Sequence, residues 1–266
     1  MGVDSMAMLV ELSRRYRAGV KACRPDAILF ADVGKSEKPA TDRYWEVAQA
    51  FLRGVGFPEF QVVRYQPVHV KYDNLYDNCI INKTLPSLAF GYKKCSLKFK
   101  VQPQNKWTKS WPPARRIWGV GDTVIKAIGY DAGPKDMRRC KILDDKEYHY
   151  WYPLRELGWE RARCLAEIRK EGLPGWTGED YSEWVETGGV PVKSACYYCP
   201  SMKPHEVVRL CEAHPELGEK IVRMEDNARE NNTTIEGLWR RATKARPGSM
   251  ATFIRQNSLL TGDGST

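Results

Sequence analysis

Helix-patterned and strand-patterned segments alternate along the first quarter of the chain, and this alternation restricts the fold more than any other feature. Met6, Leu9, Leu12 and Tyr16 recur at helical spacing and Gly19 follows, which predicts a helix over residues 4–18. "AILFAD" (27–32) is a short apolar run that enters an Asp-Val-Gly turn, the pattern of a buried parallel strand. A second amphipathic helix is predicted over 41–53, ended by "GVGFP", and "FQVVRY" follows as the next strand. Strands separated by helices at this rhythm are joined by right-handed crossovers, so the expected fold class is α/β, a doubly wound parallel sheet.

Further along, residues 84–107 read as short helices rich in basic and apolar side chains. "TVIKAIGY" (123–130) and "YHYWYPL" (148–154) return as strands, and a helix is expected over 159–171. "LPGWTGEDYSEWVETGGVP" is a Gly-rich loop long enough to cover something. Helices are expected near 203–213, 216–230 and 234–243, followed by a polar end, "LLTGDGST", that reads as frayed.

At 266 residues the chain can bury a full core, and no apolar run approaches membrane-spanning length. No membrane partner is therefore expected. The first residues do not read as a signal peptide, and eight cysteines at irregular spacing point to a reducing, cytoplasmic setting and to thiol or metal chemistry. The net charge of +9 suits a protein that meets phosphates, as nucleotides or as nucleic acid. The excess is distributed over several short runs and not gathered in one arm.

The opening "GVDS" admits two readings. Gly lets a backbone approach an anion closely at the positive end of a helix, and an Asp-Ser pair adds a metal or hydroxyl contact. Alternatively Asp4 or Ser5 is a plain N-cap, the simpler reading of the turn taken alone.

"GVDSMAML" resembles the second half of the Ser-Gly-Gly-x-Asp-Ser loop of the adenine nucleotide alpha hydrolase (ATP pyrophosphatase) superfamily. "FADVGKSEKPATDRYWEVAQAF" is similar to the next element of its phosphoadenosine phosphosulfate (PAPS) reductase branch, through Asp32, Gly34, Glu37 and Thr41. "KCSLKFKVQP" is similar to that branch's Cys-Ser…Lys-x-x-Pro element, through Cys95, Ser96, Lys100 and Pro103. "AIGYDAG" resembles its fourth-strand turn, and the stretch from "YPLRELGW" to "SACYYCPSMKPHEV" resembles a CxxC extension of PAPS reductase-like proteins, many from phages. The likeness reaches about residue 215. Met1 stands where a Gly is usual, and the family's first strand and Ser-Gly are absent from this sequence, so the expectation is a start at an internal Met.

The resemblance implies a Rossmann-like adenine nucleotide alpha hydrolase fold. The expected division of the chain is a nucleotide-binding domain over 1–155 that lacks its first strand, a helical, CxxC-bearing extension over 156–250, whose helices beyond about residue 215 the likeness does not cover, and a disordered tail over 251–266. It implies that the loop grips the phosphates of ATP or PAPS. Gly2 and Val3 would supply backbone donors, Ser5 a hydroxyl, and Asp4 a contact to Mg²⁺ or phosphate. Asp32 and Gly34 would lie at the crevice where such sheets bind ligands. Lys100 would neutralise phosphate or sulfate charge, a reading of equal weight with a solvated lysine on a basic helix.

Cys196 and Cys199 of "SACYYCP" are spaced to reach one metal ion or cluster, or each other as a redox pair. The metal reading is favoured over reduced structural thiols, with Cys95 as third ligand, Cys140 as fourth and His205 close in sequence. An iron–sulfur cluster would suit sulfur transfer and zinc a structural clip; the spacing does not separate them. Cys23, Cys79, Cys164 and Cys211 read as small core residues. The leading functional expectation is adenylation with pyrophosphate release in sulfur transfer, on a nucleic-acid acceptor that Trp107, Trp111 and Trp118 would suit. A PAPS reductase is the second reading, weakened because no cysteine follows Cys211, and a non-catalytic nucleotide- or metal-binding module is the third. Self-association into a homo-oligomer is left open.

Overall fold

The structure is a computed structural model, and it describes residues 2–34, 39–69, 72, 74–86, 94–138, 143–173 and 195–260. In chain order the elements are α1 (Val3–Arg17), β1 (Ile28–Asp32), α2 (Pro39–Gly54), β2 (Phe60–Arg64), α3 (Leu75–Ile81) and α4 (Lys94–Ser96). A π-helical turn over Leu97–Val101 leads into α5 (Gln102–Ser110), then α6 (Pro112–Gly119), β3 (Val124–Ala127), α7 (Pro134–Met137) and β4 (Tyr148–Trp151). α8 (Pro153–Glu156), α9 (Arg161–Lys170), α10 (Pro204–Ala213), α11 (Pro215–Asn231) and α12 (Met250–Gln256) complete the set. Among the described residues no helix is long and apolar enough to cross a membrane.

The fold is mixed α/β. β1 pairs with β2, and β3 pairs with β4 in parallel register, Val124 opposite Tyr148 and Ala127 opposite Trp151. Among the described residues these are two separate two-stranded sheets, where one doubly wound sheet is expected from the pattern. The chain divides into two compact units that interleave along the sequence. The first contains Met1–Phe30, Pro39–Val63 and Gln104–Ser194; the second contains Ala31–Lys38, Arg64–Pro103 and Ala195–Thr266.

In the first unit α1 is the central element. Val3, Met6, Leu9, Val10 and Leu12 are buried, and Met8 nearly so, which makes the helix apolar almost all round. It packs with Tyr44, Ala48 and Leu52 of α2, with Leu154 of α8, and with Cys164 and Ile168 of α9. Phe30 meets Trp45 edge-on at 4.7 Å, and Trp45 lies 4.7 Å from Phe60, so an aromatic wedge closes this core.

A charged clasp joins α1 to α9. Arg14 donates to the Glu167 carboxylate and to the Glu167 carbonyl (2.9 Å), and its Nε donates to Glu171 (3.0 Å). Glu167, 3% exposed, also pairs with Arg163 (2.7 Å) and Lys170 (2.9 Å). Burial pushes its carboxyl up, but the hydrogen bonds from Lys170 and Arg14 outweigh this and hold it below the usual 4.5. A depressed folded value stabilises the fold above the unfolded value, and that stability is lost as pH falls below about 4.5 through the folded one. Glu167→Gln is therefore expected to lower the melting temperature at pH 7, by about 2 kcal/mol of stability. The gap to the unsubstituted protein should close below about pH 4, followed by circular dichroism melts. A gap that stays constant over that range would show that the charge does not contribute.

In the second unit α10, α11 and α12 enclose a core of Leu210, Ile221, Met224 and Ile254, joined by Val33, Phe99, Tyr197 and Tyr198. Two local readings are corrected here. Residues 234–243 are turns and not a helix, because their backbone donors are used elsewhere: Leu238 N–H donates to Glu225 (2.6 Å), Arg241 N–H to the Trp239 carbonyl (2.8 Å), and Thr243 bridges Arg246. Conversely Met250–Gln256 is a helix where a disordered tail is expected. Ser249 caps it by accepting from Thr252 N–H (2.9 Å), and Met250, Ala251 and Ile254 are buried.

Candidate functional site

The start of α1 is where charged groups collect in the first unit. Gly2 is the N-cap, in extended conformation, and Asp4 and Ser5 lie in the first helical turn. This corrects the reading of Asp4 or Ser5 as cap. A residue in the first turn cannot cap from outside the helix, and Gly2 has no side chain to accept from the helix amides. By helix geometry the amides of Val3, Asp4 and Ser5 have no partner inside the helix, so the positive end of α1 carries an acidic side chain and a hydroxyl.

A turn after β3 is pressed against this start. Ile128 N–H extends the ladder to the Trp151 carbonyl (2.8 Å), and Tyr130 N–H folds back onto the Ile128 carbonyl (2.9 Å). The strand expected to run to Tyr130 therefore ends at Ala127. A Cβ on Gly129 would sit 2.8 Å from Ser5 Cα and 2.9 Å from Ser5 N, so only glycine allows the two backbones to meet. The turn then presents Asp131, whose carboxylate accepts Gly133 N–H (2.8 Å), while Ala132 N–H is held by the Trp159 carbonyl (2.8 Å). α7 adds Asp136.

One oxygen each of Asp4, Asp131 and Asp136 lies within 4.8 Å of the others. Asp131 and Asp136 are buried, at 7% and 6% exposure. Arg161, at the first position of α9, reaches Asp4 at 2.9 Å and Asp131 at 3.6 Å. The three carboxylates converge beside the Arg161 guanidinium in a half-buried place, where a hard cation would add favourable charge. The donor set is all carboxylate oxygen, which suits a hard ion such as Mg²⁺ and fits the ion expected there. Cys164 lies next to this group, where burial first, and then the charges of Asp4 and Asp131, push its thiol up to about 12. It stays protonated and is no nucleophile.

Asp32, Gly34 and Lys100 lie in the second unit. Asp32 ends β1, accepts Gly34 N–H (2.6 Å) and pairs with Arg64, whose Nε lies 3.0 Å away. Gly34 has φ +68°, so this turn needs its glycine. Glu37 lies outside the described residues and the Thr41 side chain is not described. Lys100 is half-buried in the π-helical turn, whereas Asp4 and Ser5 belong to the first unit. Its neighbour Lys98 donates to Tyr72 Oη (2.8 Å) and sits over the rings of Tyr65 and Tyr72.

Cys196 and Cys199 form a tight turn in which Cys199 N–H donates to the Cys196 carbonyl (3.0 Å), and both pack, with Cys95, against the second core. A single zinc ion needs sulfurs about 4 Å apart, from Zn–S bonds of about 2.3 Å. Among the described residues the group of three ligand atoms this close is the aspartate set and not these cysteines. Cys140, the fourth ligand expected with them, lies outside the described residues. Cys23, Cys79, Cys164 and Cys211 are buried, as expected of core residues; burial pushes Cys79 up to about 12 and Cys211 up to about 11.

Asp131, Asp136, Arg161 and Gly129 are the residues missed from sequence. Asp131 and Gly129 stand in the quoted "AIGYDAG", so a signal existed; nothing local distinguishes Asp136 or Arg161. No family model, curated protein or solved structure matches the chain.

Proposed function

We propose that the chain is a PAPS reductase-like enzyme of the adenine nucleotide alpha hydrolase superfamily, built on that superfamily's doubly wound sheet. In this reading it binds ATP with the phosphates at the start of α1 and adenylates an acceptor, releasing pyrophosphate, in a sulfur-transfer reaction. The observation that carries the reading is the gathering of Asp4, Asp131 and Asp136 at the positive end of α1, with Gly129 holding the two backbones together.

The roles follow from charge. The amides at the start of α1 face an anion, and the Ser5 hydroxyl adds a donor. Three carboxylates would repel a polyphosphate, so Mg²⁺ bound by them would supply the positive charge that brings phosphate and carboxylate together. Arg161, bound to Asp4 and Asp131, holds both carboxylates in place and adds a cation at the rim. No step is assigned to the cysteines.

Calorimetric titration with ATP and with PAPS, each with and without Mg²⁺, tests the reading. ATP should bind only with Mg²⁺, and Asp131→Asn and Asp136→Asn should each weaken it about tenfold or more, the loss of one charge-assisted contact. Preference for PAPS would replace adenylation by sulfonucleotide chemistry. Binding that ignores both substitutions, or none at all, would remove the site from the start of α1.

A further inference from the structure

Between Asp77 and Asp122 the sequence contains nine Lys and Arg residues and no Asp or Glu. No run within it is long, and the local charge arises from the missing acids as much as from the cations. Inside the first unit this stretch supplies Lys106, Lys109, Arg115 and Arg116, all exposed, on α5 and α6. Lys106 and Lys109 are three apart on a helix and share a face. Trp107 and Trp111, half-buried, lie at the junction of the two helices with their rings stacked at 5.3 Å and 27°.

The α5–α6 corner is held firmly to the strands beneath it. Lys126 of β3 donates to Asn105 (2.7 Å) and lies 3.8 Å from the centroid of the Tyr148 ring. Trp118 Nε1–H donates to the Glu147 carbonyl (2.6 Å), and its ring meets Tyr148 edge-on. Arg115 Nε–H donates to the Lys109 carbonyl (2.9 Å) and joins the two helices. The acids facing this corner are few. Glu147 pairs with Lys109 at 3.3 Å, and Asp145 and Glu147 act on Lys126. Among the described residues no carboxylate pairs with Lys106 or Arg116.

We propose that the α5–α6 corner is a binding surface for single-stranded nucleic acid, with Lys106, Arg115 and Arg116 on the phosphates and the Trp107–Trp111 pair offering a platform for bases. Cations that track a backbone beside flat rings are the combination by which proteins hold unpaired strands without reading sequence. A duplex keeps its bases stacked on each other and offers the rings nothing, so the aromatic pair selects the single strand. The surface is independent of the nucleotide site and stands whether or not ATP binds.

Fluorescence anisotropy with labelled oligo(dT) and oligo(U), and with a duplex of equal length, tests this on the full chain without nucleotide. Both single strands should bind more tightly than the duplex, and any preference between them identifies DNA or RNA. Three or four contacts would give a log–log salt slope of about −2 to −3. Lys106→Glu with Arg116→Glu should weaken single-strand binding about tenfold or more, while Arg241→Glu with Lys244→Glu, the same change in net charge on exposed residues elsewhere, should leave it unchanged. Trp111→Leu keeps an apolar side chain and loses the flat ring; it should weaken the single strand by about fivefold or more and the duplex little. Equal loss in both charge-reversed pairs, or duplex binding as tight as single-strand binding, would reduce the surface to general electrostatics and overturn the proposal. All four side chains of the charge-reversed pairs are exposed, so matching melting curves verify the fold independently of binding.

Discussion

Replacing Glu225 with alanine should cost about 3–5 kcal/mol, the largest effect of any single substitution in the second unit. Glu225 on α11 is fully buried, and its carboxylate is the acceptor for four donors: Leu238 N–H (2.6 Å), Ser249 Oγ–H (2.5 Å), Met250 N–H (3.0 Å) and Ala251 N–H (3.1 Å). Two of these amides open α12, so the negative charge sits on the positive end of that helix. Arg229, one turn along α11, approaches at 3.7 Å. Alanine would leave four buried donors without an acceptor and release the 237–251 segment from α11. Glu225→Gln keeps one carbonyl oxygen but turns an amide NH₂ toward donors, and should cost about half as much. A melting temperature lowered by about 10 °C for Glu225→Ala, with Glu225→Gln between it and the unsubstituted protein, is the expected calorimetric result. A change of a degree or two in both would mean that the 237–251 turns hold themselves together.

The same residue explains why the C-terminal part was hard to read. A helix over 234–243 fits the local pattern, but Gly237 packs against Ser249 and the Glu225 carboxylate, and Leu238 N–H turns to a side chain far along the chain. The acceptor that breaks the helix at Leu238 is thirteen residues away, and no local propensity carries that information. α1 was legible within a residue or two because Met6, Leu9 and Leu12 are buried on a continuous apolar surface, and the four core cysteines were legible for the same reason. The candidate site was half legible. Asp4 and Ser5 stand in a motif, but Asp136 reaches Asp4 only because Gly129 lets the turn after β3 touch α1. The basic corner is hidden for another cause: no long run of cations marks it, and its signal is the absence of acids between Asp77 and Asp122.

Gly129→Ala should separate the backbone's part in the site from that of the carboxylates. The added methyl would lie 2.8 Å from Ser5 Cα, 2.9 Å from Ser5 N and 3.0 Å from the Asp4 carbonyl carbon, all of them main-chain atoms. No rotamer change relieves such contacts, so α1 or the turn after β3 must move, at about 1–3 kcal/mol. Moving either draws Asp4 from Asp131. Gly133→Ala meets only the Asp131 carboxylate, at 2.9 Å, and that side chain can swing aside at little cost in stability. Under the proposed function both variants should weaken Mg²⁺-dependent ATP binding, but only Gly129→Ala should also lower the melting temperature appreciably. Loss of stability without loss of binding in Gly129→Ala would place the phosphates away from α1, because a ligand held by those amides responds to any shift of Ser5. Loss of binding in Gly133→Ala at unchanged stability would tie the nucleotide to the position of one carboxylate, as a metal-bridged phosphate requires.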